Sequence, residues 1–377
     1  MDVPIAGYCP PELDAVRRAF AANFAERGEV GAAVCVIVGG EVVVDLAGGW
    51  ADETRTRRWA PDTLVDVYSA GKAVVSTLAL RLVDDGSLAL DTPLADVWPE
   101  FAQHGKGGAT LRHVLCHRAG VPAIRKRLTD DDLWEWDRMA AAVAATEPWW
   151  EPGTRHAYHT NTFGHLVGEV VHRVTGELPG ARLRALAEPL GIDLWFGLPA
   201  EHHPRCAEVI WAPPVPVGEV RYEGPEGDAL MSALAHFNPP GYSSIGVVNF
   251  ARWRSAQVPS TNGHGSARGL ARFYAALLEP GRILSPDLLA LATRPHSVGP
   301  CPILGEEVAF GLGFTPTSRR RPLGPNPRSF GHFGTGGALG FADPDAGVAF
   351  GYVMNHVVPR WQSSRNRALV DALYDSL

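Results

Sequence analysis

Lysine is nearly missing from this 377-residue chain: only Lys72, Lys106 and Lys126 are lysines among 34 basic residues, leaving 34 − 3 = 31 arginines. Its five cysteines (Cys9, Cys35, Cys116, Cys206, Cys301) are odd in number and lack C-x-x-C spacing, which argues against a disulfide framework and a zinc knuckle. No apolar run approaches the roughly 20 residues of a membrane span, and the first residues, Met1-Asp2-Val3-Pro4, carry no basic segment and no apolar core. Positive charge is not massed either. The net charge is 34 − 41 = −7, and the one basic run is Arg319-Arg320-Arg321, read as decoration on a loop between strands, so no nucleic-acid footprint is visible. These absences predict a protein of a reducing, cytoplasmic setting, with neither nucleic acid nor membrane as partner.

Several catalytic signatures are also missing. Gly241-Tyr242-Ser243-Ser244-Ile245 lacks the second glycine of a G-x-S-x-G elbow. The stretches beginning at Gly334 and Gly263 approach G-x-G-x-x-G but carry Leu339 and Arg268 at the sixth position, and neither opens a βαβ unit. Fourteen histidines invite a metal reading, yet His202-His203 and the pair His113 and His117 have no H-E-x-x-H context and no converging carboxylates. No cofactor is called for.

What is present centres on Val67-Tyr68-Ser69-Ala70-Gly71-Lys72-Ala73. Residues 70–83 have apolar side chains at helical spacing and run into Asp84-Asp85-Gly86, a stop. Ser69 therefore sits at a helix N-terminus, where unpaired N–H groups and the helix dipole favour developing negative charge. Lys72, three residues on, shares its face and can reach it. That is the geometry of a serine nucleophile with an amine base. In isolation, S-x-x-K is more often a helix cap beside a solvated lysine. A chain that otherwise uses arginine has nevertheless kept a lysine here, and of the two only lysine can lose its proton at workable pH.

The flanking pattern predicts a helix over 11–27, strands over 32–38 and 41–47 joined through Gly39-Gly40, and mostly helical structure over 88–195, including 111–117, 131–146 and 163–174. Residues 212–242, rich in proline and glycine (Pro213-Pro214-Val215-Pro216, Pro239-Pro240-Gly241), read as a long loop lining or covering a site. A helix over 266–278, strands over 308–314, 331–341 and 348–355, and a helix over 364–374 complete the chain. Strands at both ends with helices between predict an α/β (α+β) fold: one antiparallel sheet domain built from 1–87 and 265–377 together, and a mainly helical domain, 88–264, carrying substrate-site loops.

Two further constellations stand out. Pro152-Gly153-Thr154-Arg155-His156-Ala157-Tyr158-His159-Thr160-Asn161 makes a turn and then places Tyr158 just before a helix. Gly331-His332-Phe333-Gly334-Thr335-Gly336-Gly337 opens a strand whose glycines permit close backbone approach. Each has a plain alternative: a tyrosine packed in an interface, and a bulged strand edge.

In this order and spacing, Ser69 with Lys72, then Tyr158, then His332-Phe333-Gly334 resemble the elements of the serine β-lactamase and penicillin-binding protein superfamily, in its class C-like branch that includes the family VIII carboxylesterases. The stretch Thr110-Leu111-Arg112-His113-Val114-Leu115-Cys116-His117-Arg118-Ala119-Gly120-Val121-Pro122 is also similar to the family. The resemblance implies a β-lactamase-like fold and an acyl-enzyme on Ser69, with Lys72 and Tyr158 sharing the proton in an order left open. It implies an oxyanion hole formed by the backbone N–H groups of Ser69 and Thr335.

Departures bear on substrate. Thr160 stands where β-lactamases of this branch have the Asn of Y-x-N, with Asn161 one place late, and His332-Phe333 replaces the Lys-Thr pair that grips a carboxylate. His332, Phe333, Gly334, Thr160, Trp150 and Tyr242 are the expected substrate-binding residues. An uncharged small-molecule ester is the expected substrate, and oligomeric state is left open. The alternatives are acyl transfer or amide hydrolysis (β-lactam or D-peptide) at the same serine, and, in another class, a non-catalytic binding or assembly protein on this fold.

Overall fold

The strand Gly31–Val38 is buried at nearly every position, so its unbroken apolar run GAAVCVIV marks a strand covered on both faces. The computed structural model, which describes residues 3–212, 226–358 and 363–377, places it near the centre of a seven-stranded antiparallel sheet. The strands lie in the order Ile5–Tyr8, Glu41–Gly49, Gly31–Val38, Val348–Met354, Leu339–Asp343, Phe330–Phe333 and Thr315–Pro316. Val348–Met354 pairs with Gly31–Val38 from Val348 opposite Val38 to Met354 opposite Ala32, which is how the two ends of the chain meet.

Helices cover both faces. A side chain at Gly351, opposite Cys35, would strike the Ala267–Leu278 helix at Ala267, Leu270 and Ala271. One at Gly48, opposite Ala32, would meet Phe20 and Phe24 of the Asp14–Glu26 helix. Residues 32 and 35 point to opposite sides because strand side chains alternate. The C-terminal helix Ser364–Tyr374 packs on Asp14–Glu26, and Arg365 reaches back to the buried Glu29, whose other oxygen accepts from the Tyr352 hydroxyl. The Gly71–Asp84 helix, almost wholly buried, packs on Thr162–Thr175, Pro179–Ala187 and the strand Phe330–Phe333, and so lies between the sheet and the helical segments.

Several expectations are corrected. The segment read as one strand over 331–341 is two, Phe330–Phe333 and Leu339–Asp343, divided by the tight turn Thr335–Gly337, because Gly336 takes φ 82° and ends the extended run. The strand at Glu306–Phe310 pairs with Ser297–Cys301 in a separate ribbon rather than in the main sheet. The 131–146 helix is broken into Asp130–Leu133 and Trp136–Ala144. Within 212–242, Gly227–Phe237 is a helix, with Met231, Leu234 and Ala235 buried at helical spacing. Pro213-Pro214-Val215-Pro216 lies outside the described residues. Arg321 is not loop decoration: its side chain is buried and ion-paired to Glu306. The edge strand Ile5–Tyr8, short and three-quarters exposed, has no apolar alternation to announce it.

Candidate active site

Ser69 sits in a single 3-10 turn, Tyr68–Ala70, that runs directly into the Gly71–Asp84 helix. The turn is held from below. Tyr68 adopts φ 51°, a left-handed conformation costly for a bulky residue, and its N–H donates to Asp66 Oδ1 at 2.8 Å. Asp66 Oδ2 accepts from the Trp253 indole at 2.9 Å, and burial pushes this carboxyl up to about 8 against the pull of those two hydrogen bonds. The strained backbone preceding Ser69 is thus braced by a fully enclosed acid.

Lys72 is completely buried, and its Nζ lies 3.0 Å from Ser69 Oγ. It has one further partner, the Ser260 carbonyl, to which it donates at 2.9 Å. Among the described residues no carboxylate is paired with it, and desolvation carries its pKa well below the ordinary lysine value. Tyr158 comes from the loop before Thr162–Thr175, with its ring centroid 4.8 Å from Lys72 Nζ and its phenol hydrogen-bonded to Ser69. Burial raises the phenol while the Ser69 bond lowers it, and the net shift is upward. The same loss of solvent therefore favours a neutral amine and a neutral phenol on either side of one serine hydroxyl. Ser69 itself stays half-buried and open to substrate.

The Ser260 carbonyl is fixed by residues that the sequence reading left unused. Ser260 Oγ donates to the Asn161 carbonyl at 2.6 Å, and Thr261 Oγ1 donates to Asn161 Oδ1. Asn161 Nδ2 in turn donates to Ala235 O at 2.7 Å. Asn161 therefore anchors the loop that holds Lys72, while Thr160 keeps the position beside Tyr158. The Thr160 hydroxyl and the Trp150 indole N–H are buried without a hydrogen-bond partner among the described residues. Trp150 packs against the small apolar cluster that contains Tyr158, Met231, Leu234 and Phe310.

The strand Phe330–Phe333 brings the third constellation alongside. Gly334 runs so close to the Ser69 turn that an added Cβ would lie 2.3 Å from the Val67 carbonyl, so any larger residue would push strand and turn apart. Thr335 begins the Thr335–Gly337 turn, and Ser69 lies in the Tyr68–Ala70 turn, positions where leading N–H groups lack intrahelical partners. His332 is buried, with its ring centroid 6.3 Å from that of Tyr158, and its Nδ1–H donates to the Phe333 carbonyl at 2.7 Å. Burial pushes it down to about 3. It is a neutral imidazole across the physiological range.

Phe333 and Tyr242, expected among the substrate contacts, are packed in the main core; the Tyr242 hydroxyl lies 3.2 Å from His165 Nδ1. A large buried aromatic beside a catalytic motif is at least as often core as pocket, and these two are core. A cavity of about 860 Å³ is lined by Arg118, Arg155, His156, Val298, Cys301 and Glu306 among others and does not include Ser69. Of the histidines weighed as metal ligands, two serve the backbone: His113 Nδ1 accepts from Thr110 N–H, and His203 Nε2 donates to Leu198 O.

A serine hydroxyl at hydrogen-bond distance from a buried amine of lowered pKa, with a phenol on the same hydroxyl, belongs to serine hydrolases that use lysine where others use histidine. The match extends beyond the site: the Beta-lactamase family profile covers residues 16–374, and the chain belongs to that family. Esterase/beta-lactamase LipL of Mycobacterium tuberculosis is 35% identical over 370 residues, spanning 94% of this chain and 83% of that protein. Esterase EstB of Burkholderia gladioli is 28% identical over 96% of this chain and 94% of its own length. The crystal structure of a family VIII carboxylesterase superimposes with a TM-score of 0.91 at 38% identity, over 99% of this chain and 100% of that one. The fold is β-lactamase-like and the chain is a serine hydrolase of that fold.

Proposed function

We propose that this protein hydrolyses small, uncharged carboxylic esters through an acyl-enzyme on Ser69. In this reading Lys72, uncharged in its buried setting, takes the Ser69 proton as the oxygen attacks the ester carbonyl. Tyr158, held neutral by burial, passes a proton to the departing alkoxide and recovers it through Lys72. The N–H groups of Ser69 and Thr335 receive the oxyanion. Water, deprotonated along the same path, then releases the acid and restores the serine.

The observation that carries the reading is the 3.0 Å approach of Lys72 Nζ to Ser69 Oγ in a site where desolvation lowers the amine's pKa well below its ordinary value. The preference for uncharged substrates rests on the strand beside Tyr158. Its His332 is a neutral imidazole, its Phe333 is core, and the nearby Arg321 guanidinium is already paired with Glu306. Among the described residues, that strand presents no cation of its own to grip a lactam carboxylate. The five unbridged thiols accord with a reducing, cytoplasmic location. Among the described residues no helix is long and apolar enough to cross a membrane.

The name of LipL couples esterase with β-lactamase, which favours amide hydrolysis at the same serine as the second reading. Kinetics on p-nitrophenyl butyrate, nitrocefin and D-phenylalanine amide separate the two. The expected result is a kcat/KM for the ester at least about 100-fold above that for either amide, since a site built without a charged clamp forgoes that much binding. A nitrocefin kcat/KM equal to that of the ester would overturn the preference.

A further inference from the structure

Tyr158 comes from a loop, so something outside the loop must set its position. The three consecutive backbone N–H groups around it are all taken by residues distant in sequence. Ala157 N–H donates to the His117 carbonyl at 3.3 Å, Tyr158 N–H to Cys301 Sγ at 3.2 Å, and His159 N–H to His117 Nδ1 at 3.1 Å. His117 therefore holds the peptide on both sides of Tyr158 with two of its own atoms. Its ring also lies against the phenol: the centroids are 4.9 Å apart, and Phe310 and Phe163 close the other sides at 4.3 and 4.7 Å.

Two features indicate that His117 is fitted to this task. It adopts φ 62°, a left-handed conformation that a non-glycine residue occupies at a cost, and there its carbonyl and its imidazole can face the same strand of chain. Its acceptor role is also reinforced. His159, which donates to His117, is itself locked by Nδ1–H to the Ala157 carbonyl at 2.7 Å and by Val121 N–H to Nε2 at 3.2 Å. The result is a closed ring of bonds around the Tyr158 backbone, fixed from outside the loop by His117 on two sides, with Cys301 and Val121 adding one bond each.

We infer that His117 is a positioning residue for the ester-hydrolysis chemistry, holding the Tyr158 phenol on Ser69 by clamping the peptides on either side of it. This inference rests on the role given to Tyr158 above. His117 acts through Tyr158, by its peptides and by its ring.

The test compares His117→Leu, which removes the side-chain acceptor, with His117→Asn, which keeps an acceptor at the Nδ1 position and tolerates the left-handed backbone. With p-nitrophenyl butyrate, His117→Leu should lower kcat about 100-fold with KM within about twofold, the cost of misplacing a catalytic group by about 1 Å. His117→Asn should recover most of the lost kcat. In a Tyr158→Phe background, His117→Leu should cost less than about threefold more, because its effect passes through the phenol. If His117→Leu does not fold, Cys301→Val reads the middle clamp without touching the strained position and should lower kcat about tenfold at unchanged KM.

A His117→Leu enzyme with wild-type kcat, an Asn variant no better than Leu, or a full loss repeated on top of Tyr158→Phe would overturn the inference, as would wild-type kcat in Cys301→Val where that variant is the one read. Wild-type turnover in Tyr158→Phe alone would instead sink the proposed role of Tyr158. The two failures are thus distinguishable.

Discussion

Lys72→Met should lose about 10⁴-fold in kcat on p-nitrophenyl esters, the upper end of what general-base catalysis supplies, while the protein stays folded. Methionine matches lysine in length and fills the buried space, so little packing changes. What disappears is the amine 3.0 Å from Ser69 Oγ and the donor to Ser260 O, leaving one buried carbonyl unpaired at a cost of about 1–3 kcal/mol. Lys72→Arg should be equally inactive, because guanidinium does not give up its proton.

The wild-type pH profile follows from the same burial. The base must be unprotonated, so kcat/KM rises with pH through the Lys72 pKa, which desolvation has moved well below its usual 10.5. Ionisation of Tyr158 would impose a falling limb, but burial moves that phenol upward from 10.0. The profile should therefore rise to its plateau below the ordinary lysine range and hold it past the ordinary phenol value of 10.0. Stopped-flow kinetics on Lys72→Met and a pH series on the wild type check both. Near-normal acylation in Lys72→Met, or a rising limb centred above pH 10, would remove Lys72 from the chemistry.

The second large effect falls on stability. Lys106 is fully buried, and its Nζ donates to three carbonyls, those of Gln103 at 2.9 Å, Ala144 at 2.9 Å and Thr146 at 2.7 Å, with the Phe101 ring 5.1 Å away. Burial lowers its pKa to about 8. An ammonium directs three donors from one point, which suits three converging carbonyls, whereas the flat fork of arginine does not. Lys106→Met should lower stability by about 3 kcal/mol, and Tm by about 5 °C, through the orphaned carbonyls. Turnover per folded molecule should stay within about twofold, a direction opposite to that of Lys72→Met. Calorimetry with active-site titration separates the two variants, and an unchanged Tm would show that the carbonyls find other partners.

These two lysines explain what the composition signalled. Arginine has replaced lysine nearly everywhere in this chain except where a buried point donor is required: once beside Ser69, and once as a staple among helices. The sequence signal was therefore real but not specific to catalysis, since it marked Lys106 as well. The third, Lys126, is exposed.

The ordered spacing of Ser69, Lys72, Tyr158 and His332 made the site legible, because each is a side chain whose chemistry is written in its type. The groups that hold them were not. Ser260 contributes a carbonyl that any residue carries, and Asn161 works on the loop rather than on substrate. His117 acts through its carbonyl and Nδ1 from a backbone conformation that no local pattern announces. The fold shows the same division. Long apolar strands such as Gly31–Val38 and amphipathic helices such as Ala267–Leu278 follow from periodicity. The break at Thr335–Gly337 and the short exposed strand Ile5–Tyr8 depend on tertiary pairing and carry no period of their own. Phe333 and Tyr242 were misplaced because an aromatic near a motif looks the same in sequence whether it lines a pocket or fills a core.

The central claim is that Ser69 carries the acyl group. The most direct test is intact-mass analysis after a fluorophosphonate, with peptide mapping, on wild type and Ser69→Ala, alongside hydrolysis of p-nitrophenyl butyrate by both. The account predicts a single phosphonyl adduct on the peptide containing Ser69, no adduct in Ser69→Ala, and turnover lost with it. Turnover that survives Ser69→Ala, or an adduct on another residue, would contradict it.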